Sequence, residues 1–181
     1  MPHSARNARW SAGVVALFLA MPAVGGSEPP AQMSALYPRI GTWNVVIRAP
    51  AGPGATKEGV DHGVVHMTKG PGGFSIVQEF SSNGSSGPVV GQSYAWWDVP
   101  TKSYRSVWCD SVQGCVTFTT VVAGNAWTVD MDSKADGKKV HTTIRATMTP
   151  DYNTIHEEAV TRTDGGSERT ESISDYTRVS K

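Results

Sequence analysis

Side chains able to do acid–base or metal chemistry are few and scattered. Downstream of the N-terminal segment the histidines are His62, His66, His141 and His156. His62 and His66 stand in "GVDHGVVHMTK", a run of strand-like composition. Positions i and i+4 of a strand share a face but lie about 13 Å apart. The two therefore cannot grip one metal, which would need i,i+2 spacing. His141 falls on the polar face of its run, and the facing of His156 in "NTIHEEAV" is open. The ordinary reading of each is a surface or hydrogen-bonded imidazole. The sharper reading makes His62, His66 or His156 a lone cavity ligand, such as an axial ligand to haem. No metal site is expected, and haem is the one cofactor left open. Glu157 and Glu158 are adjacent, so on a strand they point to opposite faces and form no close carboxylate pair. Asp130 and Asp132 share the face opposite Trp127 and are expected to meet water. Neither "NGSSG" nor "GQSYA" makes a Gly-x-Ser-x-Gly nucleophile elbow. The Gly-rich stretches join strand to strand, so no phosphate loop is present.

The aromatic residues are the better lead. Trp96 and Trp97 are neighbours, so one faces inward and the other outward. Tyr94 goes with Trp96, and Tyr104 with Trp108. Phe74, Ile76, Gln78 and Phe80 share the expected inward face of one run. Gln78 is polar among apolar neighbours and needs partners there, either a ligand or the backbone. Phe74, Gln78, Tyr94, Trp96, Trp108 and His62 are the candidate ligand-binding residues. The bland alternative for each is barrel core.

The elements that must position these residues read as strands. From Thr42 onward the helical period is nearly absent. Ten runs rich in Val, Thr, Ile, Trp and Tyr cover 42–48, 59–69, 74–81, 92–99, 103–110, 115–123, 126–133, 139–149, 154–163 and 168–179. Most connections are two to five residues long, which makes sequential neighbours antiparallel. The longer breaks "APAGPGATKE" and "SNGSSGPVVG" are expected to be mobile. Several runs alternate cleanly: Val140, Thr142, Ile144, Ala146 and Met148 against His141, Thr143, Arg145 and Thr147. Closing such a meander removes its edges, and about ten strands leave an interior wider than side chains alone fill. The fold class expected is all-β, a closed antiparallel up-and-down barrel of about ten strands. An open β-sandwich also suits the pattern. The single helical candidate, 32–39, is short enough to plug one barrel end.

The first 26 residues are of another kind. Arg6 and Arg9 precede the apolar "SAGVVALFLAM", and "PAVGG" supplies small residues for cleavage after Gly26. This reads as a secretory signal peptide, since the run is well short of the ~20 apolar residues of a membrane span. Residues 27–34 are then a linker and 35–181 the barrel. The 155 residues after cleavage carry 14 basic and 16 acidic side chains, a net charge of −2. That balance argues against nucleic acid or an acidic membrane as partner, and no second apolar span exists. Periplasmic or secreted residence is expected, which permits a disulfide. Cys109 and Cys115 flank a five-residue turn between strand-like runs. Their spacing matches no zinc or redox pattern, so a structural disulfide is expected.

"YPRIGTWNVVIR" places Gly41-x-Trp43 at the opening of the first strand. Trp43 alternates with Val45 and Ile47 and should face inward. The motif resembles the one that opens the first strand in the lipocalin and calycin superfamily. There a basic residue of the last strand packs over the Trp, and Arg178 in "SISDYTRVSK" is the matching position. "GGFSIVQEF", "GQSYAWWDVPTKSYRSVWCDS" and "ISDYTR" further resemble an exported bacterial calycin-like family, domain of unknown function 1579. The likeness runs over about 35–180. It carries Gly73 with Phe74, the Gly91 to Asp98 strand, Thr101-Lys102, Trp108 with Asp110, and Tyr176 with Arg178. The cysteine pair is not part of it. The resemblance implies a closed barrel but no activity. The Asn83-Gly84-Ser85 glycosylation sequon is discounted, because signal and family both look bacterial. The expected function is binding of a small hydrophobic ligand in the barrel. A barrel-cavity enzyme (isomerase, cyclase or hydrolase) and a ligand-free envelope protein remain alternatives.

Overall fold

The computed structural model describes residues 28–52, 57–85, 87–135 and 137–181; the signal-peptide expectation for 1–26 lies outside them. A 3-10 helix, Ala31–Arg39, precedes ten strands. These are β1 (Gly41–Ala49), β2 (Gly59–Lys69), β3 (Ser75–Gly84), β4 (Val89–Asp98), β5 (Ser103–Asp110), β6 (Gly114–Ala123), β7 (Ala126–Ala135), β8 (Lys138–Met148), β9 (Thr154–Thr163) and β10 (Glu168–Ser180). Each pairs antiparallel with its successor, and β1 pairs with β10, so the sheet is a closed barrel. The open-sandwich alternative is thereby excluded.

The boundaries of β3 and β4 differ most from the sequence expectation, and the other strands start or end within two residues of it. β3 begins at Ser75, one residue after Phe74. A 3-10 turn over Pro71–Gly73 leaves Phe74 in a right-handed helical conformation, and the Gly70 N–H closes the turn on the Ser75 carbonyl at 2.8 Å. β4 begins at Val89, three residues early, because β3 continues to Gly84 and Ser82 pairs with Val89. The expected mobile stretch at 82–91 is thus mostly ladder. Of the stretch 49–58, residues 53–56 lie outside the described residues.

The alternation of each strand sorts its residues into a lumenal and an outer set. The register carries that assignment round the barrel: Val65 pairs with Phe80, Gln78 with Ser93, Ser93 with Trp108, Trp108 with Val116, and Ala146 with Glu157. Deep burial concentrates at one end. Trp43, Val65, Met67, Ile76, Tyr104, Trp127, Met148 and Ile155 form the core there, with Met33 and Leu36 of the helix set into it. The helix is held by the Tyr104 hydroxyl donating to the Gln32 carbonyl (2.7 Å) and the Trp97 N–H meeting Met33 Sδ (3.2 Å). It is 3-10 rather than α, and that matters for facing: at three residues per turn, positions i, i+3 and i+6 eclipse. Met33, Leu36 and Arg39 therefore share its barrel side.

Candidate functional site

The closed end is built around Trp43, which is fully buried. Its indole N–H donates to the Arg39 carbonyl at 2.9 Å, and the Arg178 guanidinium lies 4.0 Å over the ring. Arg178 also donates to the carbonyls of Ile40 (2.5 Å), Pro38 (2.6 Å) and Tyr152 (2.6 Å). One cation thus fastens the helix, the last strand and the β8–β9 turn together. Gly41 is required beside it. Its φ is +136°, and a Cβ there would collide with the Ser180 carbonyl and the Arg178 side chain.

A second arginine enters the floor from the same helix. The Arg39 guanidinium stacks 4.5 Å over the Trp127 ring and feels the charge of Glu157 and the phenol of Tyr176. Both are lumenal: Glu157 pairs with Ala146 and Ser174, and Tyr176 with Ile155. The Tyr176 hydroxyl donates toward Glu157 Oε1 at 3.4 Å. Burial pulls the Arg39 guanidinium down from its ordinary value, against the pull of Glu157 and Tyr176. Burial pushes the Glu157 carboxyl up, against the Arg39 charge. Tyr176 is pushed well above the usual phenol range by burial and by the Glu157 carboxylate. All three side chains lie deep in the protein yet are only half-buried. Arg39 and Trp127 also border a concavity of about 300 Å³ at the helix end, with Gly124, Asn125 and Tyr152 on its rim.

Toward the other end, Phe80, Phe118, Met131, Ile144 and Ala159 face the lumen but are only half-buried, whereas Trp43, Val65, Met148 and Ile155 toward the floor are buried. Small residues make the room: Gly63, Ser93, Ala95, Ser106 and Ser172 all stand on the lumenal side by register. Near the mouth Trp108 packs edge-on to Phe80, ring centroids 5.7 Å apart, and donates to Asp110 at 2.7 Å. A Cβ on Gly91 would come within 2.6 Å of the Trp108 ring; glycine is what lets the indole lie against β4. Burial disfavours ionised Asp110, but hydrogen bonds from Gln113, Trp108 and Val112 outweigh it and hold the carboxyl below its ordinary range.

The structure divides the sequence candidates. Gln78 and Trp108 face the lumen. Phe74, Tyr94, Trp96 and His62 do not: the inward facing expected of Phe74 is corrected, and the facing left open for Trp96, for Tyr94 with it and for His62 is outward, so the candidate lumenal role of all four is corrected here. Phe74 belongs to the turn before β3 and is 39% exposed. On β4 the inward indole is Trp97, which packs on Tyr104 at 5.0 Å; Trp96 and the exposed Tyr94 take the outer face by alternation. The β2 register puts Asp61, Val65 and Met67 inside, which turns His62 out. His62 instead borders an outer concavity of about 740 Å³ with Val64, Asn83 and Val90. The other three histidines among the described residues are outside too. His66 contacts Thr42 at 3.1 Å, His141 contacts Asp132 at 2.9 Å, and His156 contacts Asp175 at 2.8 Å. None of the four is placed to ligate a haem iron in the lumen, and no group of three metal-ligating side chains occurs among the described residues. Asp130 and Asp132 lie on the outer surface. Cys109 and Cys115 form a disulfide between paired positions of β5 and β6.

The residues that sequence reasoning passed over are Arg39 and Glu157. Glu157 was legible through its alternation with Ile155 and Ala159. Arg39 was not, because only a 3-10 period places it beneath Leu36.

Floor, walls and mouth define a closed antiparallel barrel of ten strands, covered by the helix at one end. No protein-family model matches the chain, and no curated protein matches it. Among solved structures it is similar to Rv2717c from M. tuberculosis, with a TM-score of 0.57 and 13% identity over 83% of this chain and 99% of that one. It is also similar to the S-type phycobiliprotein lyase CPES from Guillardia theta, with a TM-score of 0.53 and 9% identity over 80% and 90%. At these identities the likeness is one of fold. No helix among the described residues is long and apolar enough to cross a membrane.

Proposed function

We propose that this chain belongs to the exported bacterial family of domain of unknown function 1579, and that it binds a small hydrophobic molecule in its lumen in the periplasm or outside the cell. The observation that carries the binding reading is the half-buried state of Phe80, Phe118, Met131 and Ile144, lumenal residues whose apolar surface is not used up by the protein's own packing. Concave, mostly apolar space with a few convergent polar groups is the ordinary form of a small-molecule site, although a fold by itself assigns no function. Residence outside the cytoplasm is supported by the signal-like N-terminus and by the disulfide. The family assignment is supported by the quoted motifs and by Arg178 lying over Trp43.

The test is native mass spectrometry of protein purified from its own host, together with titration of an environment-sensitive hydrophobic dye. A co-purifying small molecule, or saturable dye uptake, supports the reading. A clean unliganded mass together with no dye uptake by folded protein overturns it and leaves the ligand-free envelope protein. Cell fractionation tests the location; recovery of unprocessed chain in the cytoplasm would sink it.

A further inference from the structure

We propose that the lumenal ligand ends in a carboxylate that docks on Arg39 at the barrel floor, between Trp127, Glu157 and Tyr176. The inference rests on the lumenal binding proposed above and names its ligand class: a molecule with an apolar body and an acidic head.

The first argument is an unmet demand. Two arginines reach the closed end. Arg178 places hydrogen bonds on three carbonyls. Arg39 Nε is buried with no hydrogen-bond partner, and among the described residues no carboxylate lies within ion-pair distance of its guanidinium. A buried donor without an acceptor is costly, more so when charged. Trp127 covers a face of the guanidinium but accepts nothing at its edge. Glu157 is close enough to act on Arg39 through its charge and does not complete the pair.

The second argument is chemical fit. The planar guanidinium fork suits a carboxylate held by two parallel N–H···O bonds. A phosphate dianion would meet Glu157 with up to twice the charge of a carboxylate, and a cationic head would meet Arg39. A neutral hydroxyl offers the fork one acceptor oxygen where a carboxylate offers two.

The third argument is the path. Above Arg39 and Glu157 the lumenal wall is lined by Ala159, Ile144, Phe118 and Phe80, which suits the apolar body of an acid and not a small free anion. From Glu157 to Thr163 at the mouth is six residues, about 20 Å along a strand, so a medium-length chain fits below the mouth.

Isothermal titration of the purified chain with dodecanoate, dodecanol and methyl dodecanoate at neutral pH tests this. The expected result is that dodecanoate binds at least tenfold tighter than dodecanol or the ester. Arg39→Gln should erase that preference. Glu157→Gln, which removes a competing negative charge, should tighten dodecanoate severalfold. Equal binding of acid and alcohol, or a preference that survives Arg39→Gln, overturns the inference and leaves lumenal binding standing. Binding of none of the three overturns both. If Arg39→Gln does not fold, Glu157→Gln decides alone: weakened or unchanged dodecanoate binding overturns the inference.

Discussion

At the scale of single residues, Trp43 and Glu157 show two opposite uses of a buried side chain. Trp43 is fully enclosed, with its one polar atom satisfied. Trp43→Ala should cost about 3–5 kcal/mol in chemical denaturation; a loss below about 1 kcal/mol would mean that the indole does not hold the floor. Glu157 is kept at a cost. Its carboxyl is raised from an ordinary value of 4.5 by burial, with the Arg39 charge, the Tyr176 hydroxyl and nearby His156 pulling the other way. Its lumenal cross-strand neighbours Ala146 and Ser174 are uncharged. A raised carboxyl binds its proton more tightly in the folded than in the unfolded chain. Its contribution is therefore fully present below the ordinary glutamate range and is lost as pH rises toward the folded value. Glu157→Gln should raise Tm at neutral pH, and the gain should vanish below about pH 4. An equal gain at both pH values would show that the carboxyl is not perturbed.

At the scale of elements, the β5–β6 hairpin is fixed at its tip by several short-range devices. The disulfide joins paired residues across the turn, and Asp110 accepts the N–H groups of Val112 and Gln113 within it. Replacing both cysteines by serine should cost about 2 kcal/mol in the chain-entropy picture of so short a loop, measured as a shift in denaturation midpoint without loss of the barrel's far-UV signal. Because Asp110 is held below its ordinary range, its contribution is present above the ordinary carboxylate range and is lost as pH falls through the folded value. Gly91→Leu should push the Trp108 ring off β4 and change its fluorescence, with the floor residues untouched. An unchanged spectrum would mean that the contact is not maintained in solution. The helix is the element whose type the sequence left most open. Its 3-10 period decides that Arg39 follows Met33 and Leu36 into the barrel.

At the scale of the whole molecule, closure gives the chain both its edge-free sheet and its lumen. A bulky side chain placed mid-lumen tests whether that space is used. Ala159→Phe should lower affinity for a hydrophobic dye at least tenfold while keeping the barrel folded; unchanged affinity would place the dye elsewhere, for instance in the outer concavity beside His62. What the sequence determined by itself is local. Period-two alternation, short turn-rich connections and Gly-x-Trp followed at long range by Arg178 specified ten strands, their order and the closed end. These signals survive without knowledge of contacts because they depend on strand pleat and turn chemistry. What only the tertiary structure decided is which of two faces each aromatic takes and which polar groups meet. A one-residue choice of face exchanges Trp96 for Trp97 and turns His62 outward. The meeting of Arg39, Glu157 and Tyr176 depends on a helix packing across residues more than a hundred positions away, and no spacing in the sequence encodes it.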